Sequence, residues 1–434
     1  MICPRSSTRW WRPSPPNSPD LAAPVRLTLL NQFYAPDISP TAQLAASLAE
    51  HRAEQGDDVT IVTGRAGYLE GRLAASVVAV PRLRIRRIWT PALGKSSLAR
   101  RLLGYASFSL GSTIRLACMP RQDVIIAMTT PPLVVVAAVL HKLLHPRTRV
   151  VLWSMDCYPD AAERFGELRP GGRFSRILRL VNRWVFRHLD MAIVLDGAMQ
   201  ELLATQYAHG PDRPPFAIIP NWERATSFPT PTASDPVWPG YAPLHTEGCT
   251  VVVYLGNTGV GHRFESVLDA AAELGDEALF LFVGGGARWD DLEAAVSARS
   301  LTNVVLHGYV PKEDTPMVMA GAHAALITLD DRSVGVMSPS KLHANLAAGL
   351  PVLYVGPVGS NVDEAITMHE CGISLRHGDT SGLVAAVRHL RNDPQAPTRA
   401  RAAFERSYSD TVALPAFDVV LSEISGQSPS FTRK

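Results

Sequence analysis

Apolar runs and helical segments alternate along this chain in two separate series, one on each side of a proline-rich stretch. That repetition constrains the fold more than any single motif does. The first series reads strand 25–30, helix 41–55, strand 58–63, strand 123–128, helix 132–144 and strand 149–153. An amphipathic helix 174–189, strand 190–195, helix 197–204 and strand 216–219 complete it. The stretch 226–243 is dense in Pro, Ser and Thr, which marks a linker. The pattern restarts with strand 250–255 and helix 263–274. Strands 278–283, 304–307, 324–328 and 351–354 then alternate with helices 288–297, 312–320 and 341–348, before helices 381–391 and 399–408. Short unbroken apolar runs between helices indicate parallel strands covered on both faces. The expectation is an α/β chain of two doubly wound, Rossmann-like domains with a cleft between the carboxyl ends of their strands. Its divisions read as a tail 1–24, a first domain 25–225, a linker 226–245, a second domain 246–408 and a C-terminal helix or tail 409–434 that packs back on the first domain.

At 434 residues the chain is long enough for two cores, and 46% hydrophobic against 19% charged residues fits a globular protein. A net charge of +2 gives no reason to expect nucleic acid as a partner. The charge is uneven, however: Arg82, Arg84, Arg86, Arg87, Lys95, Arg100 and Arg101 crowd one short region. A solvated face explains such a cluster, and so does a patch for an anionic membrane or an acidic acceptor. Five scattered cysteines with no CxxC pair suit reduced cytoplasmic thiols. The first 24 residues are rich in Pro, Ser and Arg, lack an apolar h-region and read as a disordered tail. The longest apolar candidate, Leu133 to Leu140, falls short of the roughly 20 residues that span a bilayer.

Chemistry concentrates at the expected strand ends. SPSKLHANLAAGLPVLYVG at 338–356 supplies Pro339, the Ser340 hydroxyl and the Lys341 cation at a helix start, where an anion such as a diphosphate is favoured. An ordinary βα unit with Ser340 as N-cap explains the same residues. Gly256, Asn257, Thr258 and Gly259 follow the first strand of the second half, Gly284 to Gly286 the second, and Gly308, Tyr309 and Val310 the third. Glycine permits positive φ and close backbone approach, useful around phosphates and nucleotide rings, although a lone Gly-rich turn is more often structural. Neither GxGxxG in its strand–turn–helix setting nor GxxxxGK[ST] is present, which weighs against dehydrogenase and kinase readings. In the first half, Asp156 and Asp160 follow a strand end. Asp156 suits orienting an acceptor hydroxyl or stabilising a positively charged, sugar-like transition state, and equally a turn cap. There is no DxD pair or HExxH, so no metal site is expected.

NQFYAPDISPTAQLAASLA, WSMDCYPDAAERFG, IIPNW, YLGNTGVGH, FVGGGARWDDLE and SPSKLHANLAAGLPV together resemble retaining glycosyltransferases of the GT-B fold, family 4. More narrowly they are similar to the L-fucosamine transferase-like branch of polysaccharide assembly. The likeness covers about residues 25–400. The resemblance implies transfer of a sugar from a nucleotide-diphosphate sugar, UDP by default, to a hydroxyl of a glycan or polyprenyl-linked acceptor with retained configuration. It implies Asp156, His262 and Lys341 as catalytic residues, with His262 and Lys341 lending positive charge to the leaving diphosphate in place of a metal. Gly256, Asn257, Thr258, Gly259, Gly285, Gly286, Tyr309, Val310, Pro339, Ser340 and Asn345 would hold the donor, and Asp37, Ser39, Thr41 and Tyr158 would face the acceptor. The family's Arg and Lys after the first strand are Asn257 and His262 here, and its pair of glutamates falls on Val336 and Ala344. That loss motivates one alternative, a catalytically inactive assembly partner; a second, a nucleotide-sugar 2-epimerase, shares two such domains but is not helped by the missing glutamates. No cofactor is implied. The expected location is cytoplasmic, peripheral on the inner face of the plasma membrane, with the Arg82–Arg101 region and the apolar run 133–140 as the contact.

Overall fold

The computed structural model describes residues 24–37, 39–65, 79–91, 98–210, 213–228, 237–244 and 248–426. The N-terminal tail, Lys95 and the middle of the proline-rich stretch lie outside them.

Strands β1 (Arg26–Leu30), β2 (Asp58–Gly64), β3 (Leu83–Ile88), β4 (Val124–Met128), β5 (Arg149–Trp153), β6 (Met191–Val194) and β7 (Phe216–Ile218) form a parallel sheet in the order 3-2-1-4-5-6-7. A second parallel sheet contains β8 (Thr250–Asn257), β9 (Ala278–Gly285), β10 (Val304–His307), β11 (Ala324–Thr328), β12 (Val352–Val355) and β13 (Gly372–Leu375) in the order 10-9-8-11-12-13. Helices α1 (Pro40–Glu54), α2 (Leu98–Ala117), α3 (Val135–Leu144), α4 (Asp160–Arg164), α5 (Arg173–Phe186) and α6 (Gly197–Gln206) serve the first sheet. Helices α7 (Glu265–Leu274), α8 (Trp289–Ala298), α9 (Thr315–Ala320), α10 (Lys341–Ala347), α11 (Asn361–His369), α12 (Thr380–Arg391) and α13 (Ala396–Ala403) serve the second. Strand order reverses between β1 and β4 and between β8 and β11, so each sheet opens a crevice at the carboxyl ends of those strands. This is the GT-B architecture.

The central strands are apolar throughout because both faces are covered; all five residues of β4 and of β11 are buried. The apolar run 133–140 is part of this packing: Val134, Val135, Ala137, Ala138 and Val139 are buried in the first core, which corrects its reading as a membrane contact. The Arg82–Arg87 region is the edge strand β3, whose exposed Arg84 and Arg86 alternate with less exposed residues and blunt the edge against pairing. Trp238 and Tyr241, within the stretch read as a linker, belong to the second core, and the Tyr241 hydroxyl donates to Val318 O at 2.7 Å.

The last helix, α14 (Asp410–Ser425), returns to the first sheet. Its Phe417 ring lies 4.7 Å from Trp153 and 5.6 Å from Trp222, while the two indoles stack at 5.5 Å. Asp418 accepts from Arg52 at 2.8 Å and pairs with His51 at 2.8 Å. Phe417→Ala is expected to destabilise the protein by about 3–5 kcal/mol, because a fully buried aromatic leaves a cavity beside the two stacked indoles. Urea unfolding followed by Trp fluorescence measures it, and a loss below 1 kcal/mol would show that α14 only rests on the surface.

The two halves also meet by backbone. Asp156 forms an antiparallel bridge with Met337, and Cys157 N donates to Val336 O at 3.0 Å. Arg164 adds a bond to Val334 O at 2.5 Å. The loop after β5 is therefore held against the segment that leads into α10.

Candidate functional site

Lys341 begins α10 and reaches the switch point of the second sheet. Its ammonium donates to Asn257 O at 2.9 Å, at the last residue of β8, and lies 4.5 Å from the centre of the Tyr254 ring. His262 Nε2 is 3.4 Å away. The other imidazole nitrogen, Nδ1, donates to Thr328 O at 2.6 Å, at the end of β11. With Nδ1 protonated, Nε2 presents a lone pair to the ammonium. Burial, reinforced by the Lys341 charge, pushes the His262 pKa down to about 3. The imidazole is neutral, so His262 is not the second cation that the family resemblance implies. It orients the first.

Lys341 has no carboxylate partner among the described residues, and burial lowers its pKa to about 7. An ammonium held away from bulk water without a counter-ion is unfavourable, and a bound anion repays that cost. Ser340 makes no capping bond, so the plain N-cap explanation of that residue fails. Pro339 and Ser340 are half-buried in the loop before the helix. Asn345 is 3% exposed and packs with Leu342 and Leu346 on the inner side of α10, which corrects its assignment to a ligand surface.

The glycine turns have a sharper reason than ligand approach. Gly256, at φ +106°, leaves the Lys341 stem room at 3.4 Å from where a Cβ would sit. A Cβ on Gly284 would fall 2.1 Å from Gly256 O, and one on Gly286 2.1 Å from Asn257 Oδ1. Glycine here lets the β8 and β9 loops pack on each other. Thr258 is fully buried between them, its N–H donating to Gly285 O at 2.8 Å. Gly259 and Gly285 are half-buried; Tyr309 is 66% exposed, with its hydroxyl donating to Gly285 O at 3.2 Å, and Val310 packs against the second core. Tyr309 thus leaves an exposed ring beside the Gly285 turn.

Across the cleft, burial raises the Asp156 carboxyl to about 6, and no ion pair neutralises it among the described residues. Met337, its backbone partner, stands four residues before Lys341. Asp160 is different: it is buried, bonded by Arg179 at 2.8 Å and by the Tyr207 hydroxyl, and serves the fold. Tyr158 is half-buried, its hydroxyl pKa raised by burial and by Asp156. Asp37 accepts from Ser39 N at 2.8 Å, so at least one of its oxygens is used in the turn before α1. Ser39 is 4% exposed, its hydroxyl without a hydrogen-bond partner among the described residues, and Thr41 is half-buried in the first turn of α1.

Three features escaped the sequence reading. Tyr254 lies beneath the ammonium and Thr328 O fixes the His262 tautomer, both through tertiary contacts alone. Glu364 of α11 lies near Asp196 of the first domain, and burial followed by the Asp196 charge raises it to about 7. The DEA run at 363–365 was visible, but nothing in sequence brings residue 364 to residue 196. Among the described residues no group of three or more His, Cys, Asp or Glu is placed to hold a metal ion.

Comparison with known proteins adds to this geometry. A family model described as "Glycosyl transferase 4-like domain" matches residues 41–222, and one described as "Glycosyl transferases group 1" matches residues 249–393. "Probable glycosyltransferase WbjE" of Pseudomonas aeruginosa is 23% identical over 306 residues, covering 68% of this chain and 74% of WbjE. The structure of Anabaena HepE in complex with UDP superposes with a TM-score of 0.66 at 14% identity, covering 92% of this chain and all of HepE. WaaG, a glycosyltransferase involved in lipopolysaccharide biosynthesis, superposes with a TM-score of 0.59 at 17% identity over 92% of this chain and all of its own.

Proposed function

Because this chain belongs to the GT-B glycosyltransferases, with a transferase 4-like domain followed by a group 1 domain, we propose that it moves a sugar from a UDP-sugar to a hydroxyl of a lipid-linked glycan, with retained configuration, in the assembly of a cell-surface polysaccharide. The observation that carries this reading is the Lys341 ammonium at the switch point of the second sheet, oriented by neutral His262 and lacking a carboxylate partner among the described residues. A diphosphate is the anion that such a cleft suits. UDP is bound by HepE, and WaaG acts in lipopolysaccharide biosynthesis; both lend the reading support.

In this proposal the bond between the sugar's anomeric carbon and the β-phosphate oxygen breaks as a bond from the acceptor oxygen forms. The electron pair leaves on the diphosphate, where Lys341 and the backbone N–H groups around Ser340 meet the growing charge without a metal. The acceptor proton passes to a departing phosphate oxygen, and the negative charge of Asp156 steadies the cationic sugar. Tyr309, Val310, Gly285 and Gly286 lie against base and ribose. His262 positions Lys341. Asp156 and Tyr158, with Ser39 and Thr41 at the entrance, face the acceptor. The 2-epimerase and inactive-partner alternatives gain no support from matches to transferases. Incubation with a panel of nucleotide sugars and a polyprenyl-linked glycan, with EDTA, tests the reading. A product with the donor's anomeric configuration by NMR supports it, and an inverted one contradicts it.

The Lys341 pKa sets a pH dependence. The anion binds the ammonium form, whose free-protein pKa is about 7, and binding raises that pKa. Affinity for the nucleoside diphosphate is therefore full below pH 7 and falls as pH rises above it, by up to about tenfold per unit until the bound-state pKa is reached. The ligand's own phosphate is already ionised there. Stability of the free protein runs the other way. Between the folded pKa and the ordinary lysine value the unfolded chain binds more protons, so this group makes stability rise with pH in that window. Calorimetric titration from pH 6.5 to 9 is expected to show the fall in affinity, with proton uptake on binding, and Lys341→Ala is expected to flatten it. A pH-independent affinity in the parent protein would contradict the assignment.

A further inference from the structure

We propose that the outer faces of α2, α3 and α5 form a docking surface for an anionic lipid bilayer. Helix α5 is inverted for a helix packed on a sheet: it buries Ser175 and Asn182, with Val185 and Phe186, and leaves Phe174, Ile177 and Leu180 more than half exposed. Helix α2 does the same with Leu103, Leu110 and Ile114, and α3 with Leu144 at its end. Right-handed crossovers bring these three helices to one face of the first sheet, where α3 packs against both others. A row of large apolar side chains left in water along three adjacent helices marks an interaction surface.

The charge around the row selects the partner. None of the three helices contains an Asp or a Glu. Carboxylates that pair with these helices or with the strand beside them are already taken up, Glu163 with Arg179, Glu167 with Arg101, and Asp190 with Lys142 and Arg149. Arg173, Arg176, Arg183 and Arg187 take no carboxylate partner among the described residues. Apolar side chains fringed by arginines fit the acyl–headgroup boundary of an anionic bilayer. A second copy of this chain in a two-fold contact would set the same cations against one another. No helix among the described residues is long and apolar enough to cross a membrane, so the contact is peripheral.

The location matters for the reaction. A helix following a parallel strand starts at the carboxyl edge of the sheet, which is the cleft side. Arg101 at the start of α2 pairs with Glu167 at 2.9 Å and lies in the surroundings of Tyr158. The apolar row therefore runs up to the mouth of the acceptor side, and a lipid-linked acceptor would enter from the bilayer. This purpose rests on the transferase reading; the surface itself is tested without it.

Flotation with phosphatidylcholine vesicles, with and without phosphatidylglycerol, at low and high salt, gives the test. The protein is expected to float with phosphatidylglycerol vesicles at low salt, weakly at high salt and little with phosphatidylcholine alone. The double variant Phe174→Ser with Ile177→Ser, and separately Arg173→Glu with Arg176→Glu, are each expected to cut binding about tenfold or more. Nucleoside diphosphate affinity is expected to stay within about twofold, which reports an intact fold. Absence of binding to anionic vesicles, or variants that bind as the parent does, would overturn the proposal. So would a concentration-dependent dimer dissolved by the apolar pair, which would assign the face to a second copy. None of these outcomes touches the transferase reading as long as diphosphate binding persists.

Discussion

Lys341→Ala is expected to lower kcat/KM for the nucleotide-sugar donor by about 10²–10³-fold, the cost of removing one pre-positioned charge from a developing oxyanion. The loss follows from the position of the ammonium, which donates to Asn257 O at 2.9 Å and lies over Tyr254 at 4.5 Å, with no carboxylate partner among the described residues. The same variant separates function from structure. Removing a desolvated cation that has no carboxylate partner among the described residues relieves a cost, so thermal stability is expected to stay level or rise slightly. A residue kept for packing would give the reverse, a lowered Tm with donor affinity largely retained. Steady-state kinetics together with a melting curve on one preparation distinguishes the two.

The second large effect lies at Gly284. It stands opposite Gly256 in the register of β8 and β9, at φ +151°, and an added Cβ would sit 2.1 Å from the Gly256 carbonyl oxygen. The three nearest atoms are all Gly256 backbone, so no side-chain rotation can relieve the clash. Gly284→Ala is expected to cost about 3 kcal/mol from strain and forced separation of the two loops. Because the loop that moves carries Asn257, the acceptor for Lys341, nucleoside diphosphate affinity is expected to fall at least tenfold, or by about 1.4 kcal/mol. Gly308→Ala is the control: a Cβ there meets nothing within 4 Å, and its change is expected within about 0.5 kcal/mol. If Gly284→Ala matched Gly308→Ala in denaturant unfolding, the loop-packing account of these glycines would fail.

Much of the fold was legible because parallel strands covered on both faces must be apolar throughout. β5 and β10 fall on the residues that their apolar runs predict, Arg149–Trp153 and Val304–His307. Strand β3 was not legible because an edge strand has one open side: LRIRRI reads as a basic cluster until β2 pairs with it. The short strand β13 and helix α11 were missed for a related reason, since GISL is only half-buried and carries no long apolar run. Trp238 and Tyr241 sit among prolines that dominate the local composition, and only the packing against α9, where Trp238 N donates to Met317 O at 3.2 Å, shows them to be core.

The candidate site was legible in its chemistry and not in its electrostatics. The sequence placed a lysine at a helix start, glycines at strand ends and an Asp after β5. It could not say that Thr328 O and Lys341 would close on the two nitrogens of His262 and hold it neutral, because those residues are 66 and 79 positions away. Asn345 illustrates the opposite error. A one-turn spacing puts Asn345 on the same side of the helix as Lys341, yet Asn345 is packed inside and only 3% exposed.

Titration calorimetry with UDP, GDP, dTDP and ADP, alongside the corresponding monophosphates, in EDTA, tests the central claim most directly. The account predicts saturable binding of one diphosphate, marked weakening for its monophosphate, and loss of the diphosphate preference in Lys341→Ala. Equal binding of mono- and diphosphates, or no binding of any of them, would contradict a donor site built on Lys341.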